Sequence, residues 1–147
     1  MRIETTRLEV ATDEGVSIAD ITSEVSAFVR STGILEGLCV MVVGRQGCFL
    51  SLAPELDDAF DDLLRLVREM EPGVEAGARG ILSDRADTDT SGSAPPGFLA
   101  DSISVSVRDG GPDLGSWEAI ILVDAAGPAR RAVELTVMGS ARASAET

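Results

Sequence analysis

The stretch GLCVMVVGRQGCFLSL, residues 37–52, decides the fold. Residues 37–43 form a nearly unbroken apolar run, Gly44 and Gly47 flank Arg45 and Gln46, and Cys48–Leu52 resumes a strand pattern. Two arrangements fit: one long strand bulged at the glycines, or two strands joined by a tight turn. A bulge would aim Arg45 and Gln46 at a cleft, whereas an ordinary turn would leave them at the surface.

On the C-terminal side, Pro54 opens a helix. Leu56, Phe60, Leu63, Leu64, Val67 and Met70 recur at helical spacing, and Pro72-Gly73 ends it. Asp57, Asp58, Asp61 and Asp62 flank this stripe, the early acids favouring the positive end of the helix. On the N-terminal side, residues 3–10 read as a first strand, with a loop around Asp13–Gly15. A helix over 20–31 follows, with Asp20 as N-cap, Ile21, Val25, Phe28 and Val29 as its apolar stripe, and Gly33 as its stop.

Residues 73–97 show no periodicity and carry Asp84, Asp87 and Asp89. Loops of this length in compact domains are functional or disordered. The last third is strand-rich: Phe98–Val107, a turn over 108–112, then Trp117–Val123 and Val133–Met138, with 140–147 a frayed tail. The order β-α-β-β-α, a long loop and three strands predicts an α+β fold, a twisted antiparallel sheet or sandwich packed against two helices.

A chain of 147 residues with 44% hydrophobic residues is expected to form one domain. No apolar run is long enough to span a membrane, and the charged N-terminal segment does not resemble a signal peptide, so a cytoplasmic protein is expected. The net charge of -13 repels a phosphate backbone and argues against a nucleic-acid partner.

The chain contains no His, Lys or Tyr. Without histidine the usual proton shuttle and commonest metal ligand are missing, so any activity falls to carboxylates, Arg, Ser/Thr, Gln46, Cys39 and Cys48, or backbone groups. The two cysteines read first as buried structural thiols, with a redox pair or a nucleophile as alternatives. The helix acids read as a solvated face rather than an ion site. The loop acids Asp84, Asp87 and Asp89 read as surface groups, with a hard cation as the alternative. No metal site is assigned, and magnesium enters only if the protein is catalytic. No GxGxxG or P-loop motif occurs. Glu118, after Gly115-Ser116-Trp117, forms with Arg130 and Arg131 the best acid–Arg candidate, suited to a phosphate. The alternative is a surface ion pair near a sheet edge.

These residues also carry a resemblance. Asp20-Ile21-Thr22, Ser31-Thr32-Gly33-Ile34 with Gly37-Leu38, the acidic second helix, Val107-Arg108-Asp109-Gly110, Leu114-Gly115-Ser116-Trp117-Glu118 and Gly127-Pro128 with Arg130 and Arg131 occur in the order of the YjbQ-like family, sometimes called secondary thiamine-phosphate synthases. Over residues 1–139 the chain resembles that family as a single domain. The resemblance implies a β-rich α+β homotrimer with a polar pocket between subunits. It also implies departures. The family's His-Thr-Thr becomes Arg45-Gln46-Gly47, its Asn-Glu becomes Ala53-Pro54, a loop histidine becomes Gly92-Ser93, and its Trp-Gln becomes Trp117-Glu118. Asp57, Asp109, Gly115, Trp117 and an Arg at 130 or 131 remain.

The expectation is therefore a diverged, non-catalytic member that keeps the scaffold and a small pocket for a polar or phosphorylated ligand. That pocket would be lined by Arg45, Gln46, Ser93, Trp117, Glu118, Arg130 and Arg131. One alternative is an enzyme with weak thiamine-phosphate synthase-like or other carboxylate and Arg chemistry, with Glu118 and Asp109 as the catalytic candidates. Another is a structural subunit of a hetero-oligomer.

Overall fold

The computed structural model describes residues 1–44, 47–54, 59–69, 100–115 and 118–141, with the backbone alone at Ala59, Phe60, Val67 and Glu118. Its elements are β1 (Arg2–Ala11), β2 (Gly15–Asp20), α1 (Thr22–Thr32), β3 (Glu36–Val42), β4 (Cys48–Pro54), α2 (Ala59–Glu69), β5 (Ser102–Arg108), β6 (Gly111–Pro112), β7 (Glu118–Gly127) and β8 (Arg130–Ser140). They form an antiparallel sheet of five strands, β1-β8-β3-β5-β6, and one of three, β2-β7-β4. With the two helices this is the expected α+β class.

The stretch 37–52 makes two strands, but not a hairpin. β3 pairs with β5 and β8, whereas β4 pairs with β7 in the other sheet. The chain crosses between sheets where the glycines interrupt it, so both apolar runs reach one interior. Cys39 and Met41 of β3 pack there with Leu135 and Val137 of β8, Leu50 of β4, and Ile120 and Leu122 of β7. Val25 and Val29 of α1 fill the same core. On the far face of the small sheet, Phe49, Ile121 and Val123 pack against Leu63 and Leu64 of α2. β7 is thus buried on both faces, which is why Ala119–Val123 reads as a continuous apolar run rather than an alternating one.

The sequence reading missed β2 and placed the start of α1 too early. Val16 and Ile18 of β2 join the core under α2, and Ile18 pairs with Val123. The partner that makes this short segment a strand lies a hundred residues away, beyond any local pattern. α1 begins at Thr22, with Ile21 at the cap position. Asp20 still closes the helix start, one residue further out: its Oδ1 accepts the Thr22 backbone N–H at 2.9 Å and the Thr22 hydroxyl. The Thr22 hydroxyl oxygen in turn accepts the Ile120 N–H at 2.9 Å, fixing α1 to β7. Gly33, at φ 73, ends the helix as expected.

In the last third, β7 and β8 are both longer than the sequence suggests, because their ends pair even where alternation is lost. β5 opens at Ser102, preceded by a single bridge between Ala100 and Leu50. Asp109 and Gly110, at φ 52 and 80, form the two-residue turn to β6, a geometry that matches strand twist. Leu56, Asp57, Asp58, Met70, the 73–97 loop, Phe98 and the tail beyond 141 lie outside the described residues.

The outward face of the large sheet is formed by alternate residues in register. Ile3, Met138, Leu38 and Ser106 make one row, and Thr5, Thr136, Val40 and Ser104 the next. Among the described residues no element covers this face.

Replacing Leu122, which is fully buried, with Ala is expected to lower the unfolding free energy by about 2–5 kcal/mol. The same change at Leu66, which is 44% exposed, should alter it by less than about 1 kcal/mol. Urea unfolding midpoints of the two variants check the layer assignment.

Candidate functional site

An acid in the middle of a two-faced buried strand needs partners, and Asp124 follows directly on the apolar run of β7. It is fully buried. Its carboxylate accepts two bonds from the Arg131 guanidinium, Nε to Oδ2 at 2.8 Å and Nη2 to Oδ1 at 3.0 Å. It accepts a third from the Thr12 hydroxyl at 2.6 Å and a fourth from the Ala126 backbone N–H at 2.9 Å. The Thr12 oxygen also accepts the Ala129 N–H at 3.1 Å. Together these bonds tie the segment after β1, the end of β7 and the start of β8. Gly127 is required beside them, since a Cβ there would lie 2.1 Å from the Asp13 carbonyl oxygen and 2.8 Å from Thr12 Oγ1.

Burial pushes the Asp124 carboxyl up, but its bonds from Arg131, Thr12 and Ala126 outweigh that and hold it below the usual carboxylate range. The bond to Asp124 raises Arg131 in turn. Arg131 therefore has its fork filled by the buried Asp124. Arg130 points the other way, is exposed, and pairs with Glu9 at 3.1 Å.

The strand register also separates the acid–Arg candidate. Glu118 lies at the start of β7, opposite Pro54, six residues before Asp124, or about 20 Å at about 3.3 Å per residue. Asp109 occupies the turn between β5 and β6, where its positive φ accounts for the residue type. Its N–H donates to Glu36 Oε2 at 3.3 Å. Arg45, Gln46, Ser93, Trp117 and the Glu118 side chain lie outside the described residues, as do Asp84, Asp87 and Asp89. Asp61 and Asp62 of α2 are exposed. Among the described residues no three Cys, Asp or Glu side chains converge as metal ligands, and no helix is long and apolar enough to cross a membrane.

Both cysteines are free and buried. Burial pushes the Cys39 thiol up to about 11. Burial does the same for Cys48, which also rises to about 11 although the charge of Arg131 opposes it. Neither thiol is a thiolate at neutral pH, which argues for the structural reading over the nucleophile.

A cleft of about 240 Å³ opens on the large sheet where β3 runs out toward residue 45. Arg7, Val42, Val43, Gly44, Ala132 and Glu134 line it. Arg7 and Glu134 are register partners, yet Arg7 forms no ion pair among the described residues. Sequence reasoning singled out neither, because each looks like an ordinary outward charge on an alternating strand. Arg130 lies on the same face, two residues along β8 from Ala132. A second, apolar groove of about 270 Å³ lies between β4 and α2.

The UPF0047 protein YjbQ-like family model matches residues 6–140. The chain belongs to the YjbQ-like family. A UPF0047 protein of Methanothermobacter thermautotrophicus is 24% identical over 139 residues, covering 95% of this chain and 94% of the relative. One from Mycobacterium bovis is 32% identical over 112 residues, covering 73% of this chain and 79% of the relative. The fold matches the crystal structure of a YbjQ-like protein of unknown function from Sulfolobus solfataricus, with a TM-score of 0.75, 21% identity, and coverage of 95% of this chain and 99% of that one.

Two predictions concern the buried charges and thiols. Asp124→Ala strands the Arg131 charge and should cost about 3–5 kcal/mol, much of it recovered by adding Arg131→Met. A double-mutant cycle in urea measures the coupling. The unfolded carboxyl, near pH 4, takes a proton more readily than the folded one, so acid favours unfolding. The stabilisation is complete above about pH 4 and disappears as pH falls through the lower folded value; in Asp124→Asn this part of the acid dependence should vanish.

The thiols act with the opposite sign. Their stabilisation is complete below about pH 9 and is lost as pH rises through about 11, with about 2 kcal/mol for each thiol gone at pH 11. With no Lys or Tyr in the chain, unfolding at pH 8 and pH 11, compared with Cys39→Ala and Cys48→Ala, isolates this contribution.

Proposed function

We propose that this chain is a diverged, non-catalytic YjbQ-like protein. It keeps the family scaffold as a homotrimer and binds a small phosphorylated or polar ligand at the cleft beside Arg7, Glu134 and Gly44. The observation that carries this reading is the cleft itself: an Arg without an ion pair among the described residues, backed by Gly44, in a volume on the scale of a phosphate or pyrophosphate. Arg45 follows Gly44 directly in the chain. Arg130, rather than Arg131, is the remaining Arg on that face, because Arg131 is held by Asp124.

The non-catalytic part is supported by chemistry. The chain has no histidine, its thiols are buried and held protonated, and its buried carboxylate is held ionised by four donors.

Titration calorimetry with inorganic phosphate and pyrophosphate tests the ligand. Binding is expected, weakened at least about tenfold by Arg7→Ala, roughly the loss of one charge-assisted contact. Binding unchanged by Arg7→Ala and Arg45→Ala places the ligand elsewhere. A thiamine-phosphate synthase assay with hydroxymethylpyrimidine diphosphate, thiazole phosphate and magnesium tests the absence of catalysis. No product is expected. Product that disappears in Glu118→Gln overturns the reading.

A further inference from the structure

We infer that Asp124 is a positioning residue for the ligand cleft: fully buried itself, it holds in place the three stretches of chain that line the cleft. The inference rests on the ligand reading above and names the residue that controls the affinity of that site.

Arg7 comes to the cleft from β1, Ala132 and Glu134 from β8, and Val42, Val43 and Gly44 from the end of β3. Each of these stretches continues into the surroundings of Asp124. β1 ends at Ala11, and the next residue, Thr12, donates its hydroxyl to Asp124 Oδ2 at 2.6 Å. On β8 the residue before Ala132 is Arg131, which closes on both carboxylate oxygens. Beyond β3 the chain comes to Gly47, whose carbonyl oxygen accepts the Ala125 N–H at 3.3 Å, and then to Cys48, which lies opposite Asp124 in register. Only two residues separate Gly44 at the cleft from Gly47 at β7, so the Cα atoms of these glycines are at most about 11 Å apart.

These links run between the sheets. β1, β8 and β3 belong to the large sheet and β7 to the small one. Apolar contact between sheets is non-directional, whereas a bidentate carboxylate–guanidinium pair holds one geometry. An apolar filling of the same volume would hold the sheets together as well. What the buried pair adds is a fixed placement of the strands behind the cleft. A ligand that contacts Arg7 on one wall and Gly44 on the other senses the separation of those walls, and a displacement of about 1 Å between binding groups is costly.

Titration calorimetry with pyrophosphate, beside urea unfolding of the same proteins, tests the inference. Asp124→Ala combined with Arg131→Met removes the joint without leaving a charge buried alone. This double variant should bind pyrophosphate at least about tenfold more weakly than the wild type. Ile121→Ala empties a fully buried position on the opposite face of β7, against α2. It should lose at least as much stability as the double variant, yet bind within about twofold of the wild type. Thr12→Val cuts one link without touching a charge and decides the matter should the double variant not fold: binding about threefold weaker or worse is expected, and unchanged binding overturns the inference. A folded double variant that binds as the wild type does overturns it too and leaves the ligand reading standing. So does Ile121→Ala if it weakens binding as much as the double variant, because the effect is then one of stability. A wild type that binds no pyrophosphate at about 1 mM overturns the ligand reading and this inference with it.

Discussion

Burial of β7 on both faces is the constraint from which the rest of the molecule follows. Ala119, Ile120, Ile121, Leu122 and Val123 have no exposed surface. A strand of this kind must be covered twice, so the chain supplies the large sheet with α1 on one side and α2 on the other. It must also be paired on both edges, and β2 and β4 do this. Once the strand is enclosed, the acid that follows its apolar run cannot reach water. The bonds from Arg131, Thr12 and Ala126 are the compensation, and with them no buried side-chain polar atom among the described residues is left unpaired. A buried ion pair of this kind is weak evidence of net stability and stronger evidence of a fixed arrangement. Here it settles how the segment after β1 and the β7–β8 connection sit together.

Much of the architecture was legible because the driving patterns are local. The apolar stripe of α1, the alternation of β5 and β8 and the unbroken run of β7 each report how many of their faces are covered. What escaped was decided at a distance. β2 has no pattern of its own that outweighs the neighbouring loop and helix signals, and it becomes a strand by pairing with β7. The crossing between sheets after β3 was equally hidden, since Gly44 and Gly47 read the same whether the strands on either side pair with each other or with different partners.

The site was less legible than the fold, for a related reason. Arg130 and Arg131 are adjacent in sequence and equivalent on paper, but strand alternation sends one to solvent and the other to Asp124. Glu118 and Arg131 looked like partners because both are polar punctuation around apolar strands, yet the backbone of Glu118 opens β7 whereas Arg131, on β8, is bonded to Asp124 near the other end of β7. Arg7 and Glu134 carried no signal at all until register placed them across from each other beside a cleft. The one clue available beforehand was Asp124 itself: a single acid in a run otherwise fit only for a core asks for a cation, and the nearest in sequence are the two arginines of β8.

The position of β1 also has a meaning for biosynthesis. It lies at the edge of the large sheet and pairs there only with β8. β1, the first strand of this fold to be synthesised, therefore has no partner until the last strand of the fold has been made, roughly ten seconds later at about 5–20 residues per second. Through that interval Leu8 and Val10, destined for the interior, are exposed on an unpaired strand. The growing chain is thus open to chaperone capture or mispairing at this strand, and the large sheet acquires that edge only when the two ends of the fold meet.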